Sequence, residues 1–125
     1  MSNNVKIAID AMGGENSPGK ILDGIEISLK SNKENFFYLF GKKDLLEKEI
    51  LKRKSIIKFC EVIDAEDTIL DNESALAGAK KSKNTSMWKT VESLKEGKTD
   101  ICLSAGNTGA LLVISRLLIK TIEGI

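Results

Sequence analysis

The stretch "DICLSAGNTGALL", residues 100–112, changes character twice within a few positions. Asp100 to Ala105 is a short apolar run that reads as a strand. Gly106 to Gly109 then sets two glycines beside an asparagine and a threonine, and from Ala110 the chain is apolar again, now with helical period. A strand that passes through a small-residue turn straight into a helix is half of a βαβ unit, so the fold depends on whether the rest of the chain repeats that pattern.

It does. "VKIAID" (Val5 to Asp10), "FFYLF" (Phe36 to Phe40) and "IIKFCEVI" (Ile56 to Ile63) are short apolar or β-branched runs bounded by Gly, Asn, Lys and Asp, and each reads as a strand. Helical period fills the spaces between them. Ser17 and Pro18 offer an N-cap and a first-turn proline ahead of Ile21, Leu22, Ile25 and Leu29. Leu45, Leu46, Ile50 and Leu51 mark a second helix; Met87, Trp88, Val91 and Leu94, closed by Gly97, mark a third; a fourth runs from near Asn107 to Ile122. Strands alternating with helices predict right-handed crossovers and an α/β fold, a mostly parallel sheet with helices on both faces. No internal repeat or low-complexity tract interrupts it.

Composition narrows the function classes. With 125 residues, 42% hydrophobic and 30% charged, the chain 1–125 suits a single α/β domain with a modest core. Its 19 Lys+Arg against 18 Asp+Glu give a net charge of +1, so nothing global points to nucleic acid or a membrane surface. Cys60 and Cys102 lie inside apolar runs, and with no CxxC and no histidine they read as buried structural thiols, with no metal set. "MSNNVKIAID" lacks a cationic segment followed by an apolar one, and "ALLVISRLLI" is broken by Arg116, short of the roughly 20 apolar residues of a membrane span. A cytoplasmic protein is expected.

Two junctions carry the chemistry. "DAMGGENSP", residues 10–18, follows the first strand, where parallel sheets bind ligands beyond their carboxyl ends. Gly13 and Gly14 there either let backbone approach a ligand or simply make a tight turn, and the spacing matches neither GxGxxG nor GxxxxGK[ST]. At the second junction, Gly106 permits a sharp or left-handed turn, Asn107 or Thr108 can cap, and Gly109 and Ala110 leave the first helical turn uncrowded. Free N–H groups and the positive end of the helix dipole make such a place a ready phosphate site, with the Ser104 and Thr108 hydroxyls and the Asn107 amide as further donors; a well-capped, closely packed helix start accounts for the same residues. The irregular part between Ile63 and Asn84, acidic at first and then basic at Lys80, Lys81 and Lys83, reads as a solvated loop or as a lid that brings lysines to an anion.

Read together, "IAIDAMGGENSP" (7–18), "KNTSM" (83–87) and "DICLSAGNTGALL" (100–112) resemble the N-terminal part of the bacterial acyl-acyl carrier protein:phosphate acyltransferases, over nearly the whole chain. The resemblance implies an α/β/α sandwich of the isocitrate dehydrogenase and phosphotransacetylase type, a homodimer for the full-length protein, and peripheral membrane association as an allowed location. It implies acyl transfer from acyl carrier protein thioester to inorganic phosphate, the entry to phosphatidic acid and phospholipid, with no cofactor. By position, Asp10, Lys83 and Asn107 become the candidate catalytic residues, and Gly13, Gly14, Ser86, Ser104, Gly106, Thr108 and Gly109 the candidate substrate-binding ones. Glu15 stands where the family usually has aspartate, Thr85 where it often has serine, and "DTILDNES" lacks the proline the family often carries there.

The family continues past the residue matching Ile125, and the last helix is apolar on nearly every side, so an N-terminal fragment is expected, inactive alone. Lacking a histidine to activate a serine or cysteine, direct attack by phosphate is the economical mechanism. Two other readings stand beside it: a phosphotransacetylase-like transferase using an acyl-coenzyme A thioester, and an inactive truncated domain that only associates with a partner.

Overall fold

Apolar runs and helical stretches alternate in the folded chain as they do in the sequence. The elements are β1 (Lys6–Asp10), α1 (Gly19–Ser31), β2 (Phe36–Gly41), α2 (Lys43–Leu51), β3 (Cys60–Asp64), α3 (Ser86–Lys95), β4 (Ile101–Leu103) and α4 (Thr108–Leu118). This computed structural model describes residues 4–70, 72–74, 77 and 83–119. All strand pairs are parallel and the order is β3-β2-β1-β4, so the expected α/β architecture is the observed one.

Register decides which side chains meet. Ile7 lies between Phe37 and Ile101, and Ile9 between Leu39 and Leu103. On that face Ile7, Ile9, Phe37 and Leu39 pack against Leu22, Ile25 and Leu29 of α1 and Leu46 and Ile50 of α2. A second cluster joins Met87 and Val91 of α3 to Ala110 and Ile114 of α4 and to Ile69. Side chains alternate along a strand, so Asp10 points opposite to Ile9, away from α1 and toward α3. Arg53, just past α2, pins that helix to α1 through Asp23 at 2.7 Å and Glu26 at 3.7 Å.

Several boundaries differ from the sequence expectation, each for a local reason. Ile56 does not begin β3: it is fully buried in the cluster beneath α1 and α2, and residues 57–59 form a single 3-10 turn in which the Phe59 N–H donates to the Ile56 carbonyl. Ser17 does not cap α1. Its hydroxyl donates to the Gly13 carbonyl, and Pro18 takes the cap position, one residue ahead of Gly19. β4 is shorter than its apolar run because residues 104 and 105 leave the ladder. Gly97 closes α3 with φ +75°, in keeping with its place after Leu94. Ile122, expected in α4, lies outside the described residues, as do Lys80 and Lys81. Both cysteines are half-buried. Among the described residues no helix is long and apolar enough to cross a membrane.

Candidate functional site

From β1 the chain adds strands in one direction, β2 and then β3, and afterwards returns to the other side of β1 with β4. Between β1 and β4 the strand order reverses, and parallel sheets bind ligands beyond the carboxyl ends of strands at such a point. The loop after β1 and the loop after β4 lie side by side there. A Cβ on Gly13 would stand 2.7 Å from Asp10 Oδ2 and 2.8 Å from the Gly106 nitrogen; one on Gly14, whose φ is +89°, would stand 3.0 Å from Ala105 Cβ. The glycine pair therefore lets two backbones touch. Gly106 is not in the left-handed region. It is small because Met87 Cε, Ser104 Oγ and Asp10 Oδ2 would lie 3.1, 3.3 and 3.4 Å from any Cβ.

Beneath these two loops sits Asp10, only 2% exposed. Its Oδ1 accepts the Ser86 hydroxyl at 2.6 Å and the Met12 N–H at 3.2 Å, and its Oδ2 accepts the Ser104 hydroxyl at 2.9 Å. Ser104 Oγ accepts in turn the Gly106 N–H at 3.1 Å. Ser86 reaches this point because its backbone is held from behind. The Ser86 N–H donates to the Asp67 carbonyl at 2.9 Å, the Asp67 N–H donates to the Asn84 carbonyl at 3.1 Å, and Thr85 caps α3 by accepting the Trp88 N–H. A buried carboxylate is tolerated when donors surround it, and here three do.

Asn107 is committed differently from the expectation of a free donor amide. Its Oδ1 caps α4 by accepting the Ala110 N–H at 3.0 Å, and its Nδ2 donates to the carbonyls of Leu70 at 3.1 Å and Glu73 at 2.8 Å. The side chain thus starts the helix and holds Leu70 and Glu73 against it. Of the N–H groups that helix geometry leaves open at the start of α4, the Asn107 side chain takes that of Ala110, while the Asn107 carbonyl takes the Leu111 N–H in the ordinary helical way; among the described residues those of Thr108 and Gly109 have no partner. Lys83 is exposed in the turn before α3 and stays outside this hydrogen-bonded group.

The structure therefore brings together Asp10, Gly13, Gly14, Ser86, Ser104 and Gly106, with Asn107, Thr108 and Gly109 at the adjoining helix start. Sequence reasoning missed Asp67 and Ile69. The segment they occupy reads as solvated charge, yet Ile69 is buried and Asp67 bridges to Thr85; the apolar Ile69-Leu70 pair was the available signal. Beside Ser104 and Ala105, on the α1 side of the sheet, runs an apolar groove of about 390 Å³ lined by Ile7, Ile9, Ile25 and Leu103.

Residues 5–125 match the family model described as fatty acid synthesis protein. The chain is 50% identical, over all of its length, to the phosphate acyltransferase of Pelagibacter ubique, 33% identical over 95% of its length to that of Roseobacter denitrificans, and 36% identical over 95% to that of Clostridium acetobutylicum. It spans only 37%, 33% and 36% of those relatives' own lengths. The chain belongs to the fatty acid synthesis protein family, in keeping with the phosphate acyltransferase resemblance of its glycine-rich motifs.

Proposed function

We propose that these residues form part of an acyltransferase that moves a fatty acyl group from acyl carrier protein thioester to inorganic phosphate, yielding acyl phosphate for phosphatidic acid and phospholipid synthesis. One observation carries the reading: the loop of Gly13 and Gly14 lies against Ala105 and Gly106, directly ahead of the start of α4, where helix geometry leaves N–H groups and the positive end of the dipole for an anion. A phosphate oxygen held there attacks the thioester carbonyl carbon, negative charge gathers on the carbonyl oxygen, and the carbon–sulfur bond breaks as the carrier thiolate leaves and takes a proton. Holding the dianion beside the carbonyl supplies the proximity term, and oriented N–H donors supply the electrostatic one. In this reading Lys83, exposed in the turn before α3, contributes positive charge. Acyl carrier protein, inorganic phosphate and a second copy of the longer protein are the partners in this reading, which sets it in the cytoplasm with peripheral contact to the membrane.

The test is a chimera in which these 125 residues replace the matched region of the Pelagibacter ubique relative. Acyl phosphate, trapped with hydroxylamine, should form only when both phosphate and acyl carrier protein thioester are supplied. A chimera that folds yet makes none, beside an active parent, overturns the proposal. Faster turnover with an acyl-coenzyme A donor would place the protein with the phosphotransacetylase-like enzymes instead.

A further inference from the structure

A carboxylate can only accept hydrogen bonds, so the single protons of Ser86 and Ser104 must both point at Asp10. With its proton spent, Ser104 Oγ offers lone pairs, and one receives the Gly106 N–H. The direction of the chain is then unambiguous: Gly106 donates to Ser104, and Ser104 donates to Asp10. That chain sets the peptide plane entering Gly106 and so the approach to Asn107, whose cap fixes where α4 begins. Ser86 ties the start of α3 to the same carboxylate, so one side chain joins segments 76 and 94 positions away. Gly13 and Gly106 close over Oδ2, which leaves Asp10 buried from any ligand.

We propose that Asp10 is a positioning residue: by fixing the direction of the Ser104 hydroxyl it sets the Gly106 peptide and, through the Asn107 cap, the Thr108 and Gly109 N–H groups at the start of α4. The inference rests on the phosphate reading for the identity of the anion. Charge and geometry at Asp10 have opposite signs. Its negative charge opposes a nearby anion, while its hydrogen bonds order the donors that hold one. Asp10→Asn separates the two, because the amide keeps the shape and loses the charge, yet accepts only one of the two hydroxyls. Facing Ser104, its NH2 donates rather than accepts, and the released Ser104 proton disrupts the Gly106 bond.

The test is amide NMR on the chain with Asp10→Asn and Ser104→Ala, singly and combined, with inorganic phosphate as the titrant. The Gly106 amide proton should shift in both single variants and no further in the double, the mark of a shared chain of bonds. Phosphate affinity read at Thr108 and Gly109 should fall about tenfold in Asp10→Asn although a negative charge has gone. Unchanged or tighter binding, or an unmoved Gly106 amide, overturns the proposal. If Asp10→Asn does not fold, Ser104→Ala must alone reproduce the loss of affinity, and its failure to do so is equally decisive. If wild-type Thr108 and Gly109 do not respond to phosphate, the phosphate reading falls, and the Gly106 shifts and their non-additivity still decide the role of Asp10.

Discussion

At the scale of single residues, the two junction loops meet through atoms that a side chain would displace. Gly13→Ala places a methyl group 2.7 Å from Asp10 Oδ2 and 2.8 Å from the Gly106 nitrogen, neither of which is the free end of a flexible side chain. We expect a loss of about 1–3 kcal/mol, read as a clear fall in thermal midpoint. Gly24→Ala is the control: in α1, with nothing within 4 Å of its added Cβ, it should raise stability by about 0.4–1 kcal/mol. Equal midpoints for the Gly13 variant and wild type would mean the loops part freely. Cys60 behaves as an inert thiol for a related reason. Burial pushes its pKa up to about 12, and burial raises that of Cys102 as well. At pH 8 iodoacetamide should label Cys60 at least about a hundredfold more slowly in the folded chain than in urea, measured by mass spectrometry. The linkage has a definite sign: above the ordinary thiol range the unfolded chain loses the proton while the folded one keeps it, so stability falls as pH climbs toward 12.

At the scale of elements, Asn107 does two jobs that substitution can separate. Asn107→Ala removes both the cap and the clamp on Leu70 and Glu73, whereas Asn107→Ser keeps a capping oxygen and loses only the clamp. The alanine variant should lose about 1–2 kcal/mol, the serine variant less, and both should be cut faster than wild type by a nonspecific protease next to Leu70 and Glu73. Protection that survives in the serine variant would show that Asn107 is a cap alone. That cap was legible in the sequence, as were strands β1 to β4 and helices α1 to α4 among the described residues, because apolar period and small-residue punctuation are local signals. Ile56 shows where local signals fail. "IIKF" has strand composition, but Ile56 is needed beneath α1 and α2, and burying it there turns the backbone into a 3-10 turn before β3 can start. Likewise, the motifs identified Asp10, Ser86 and Ser104 as candidates, while the carboxylate that joins them is a product of sheet order, which no window of sequence contains.

At the scale of the whole molecule, β4 is an edge strand among the described residues, with one face covered and the other open. Cys102 packs into the cluster of α3 and α4, while Ile101 and Leu103, pointing to the α1 side, are 45% and 52% exposed. Parallel sheets are ordinarily covered on both faces, and an apolar edge with unpaired N–H and C=O groups invites another chain. The groove of about 390 Å³ between this edge and α1 extends the same apolar surface, and Leu112 and Leu117 of α4, 72% and 63% exposed, present apolar side chains on another element. We therefore expect the 125-residue chain to self-associate at high concentration, driven by apolar burial and so strengthened by added sulfate. Leu103→Glu puts a charge on the exposed side of β4 that would have to be desolvated in any such contact, whereas Leu112→Glu does the same on α4. Sedimentation equilibrium on the two variants locates the contact: a monomer from Leu103→Glu alone assigns it to the β4 edge, and one from Leu112→Glu alone moves it to α4. A wild-type chain that stays monomeric in sulfate would show that neither surface is adhesive, and that the twist of a short edge strand suffices to protect it.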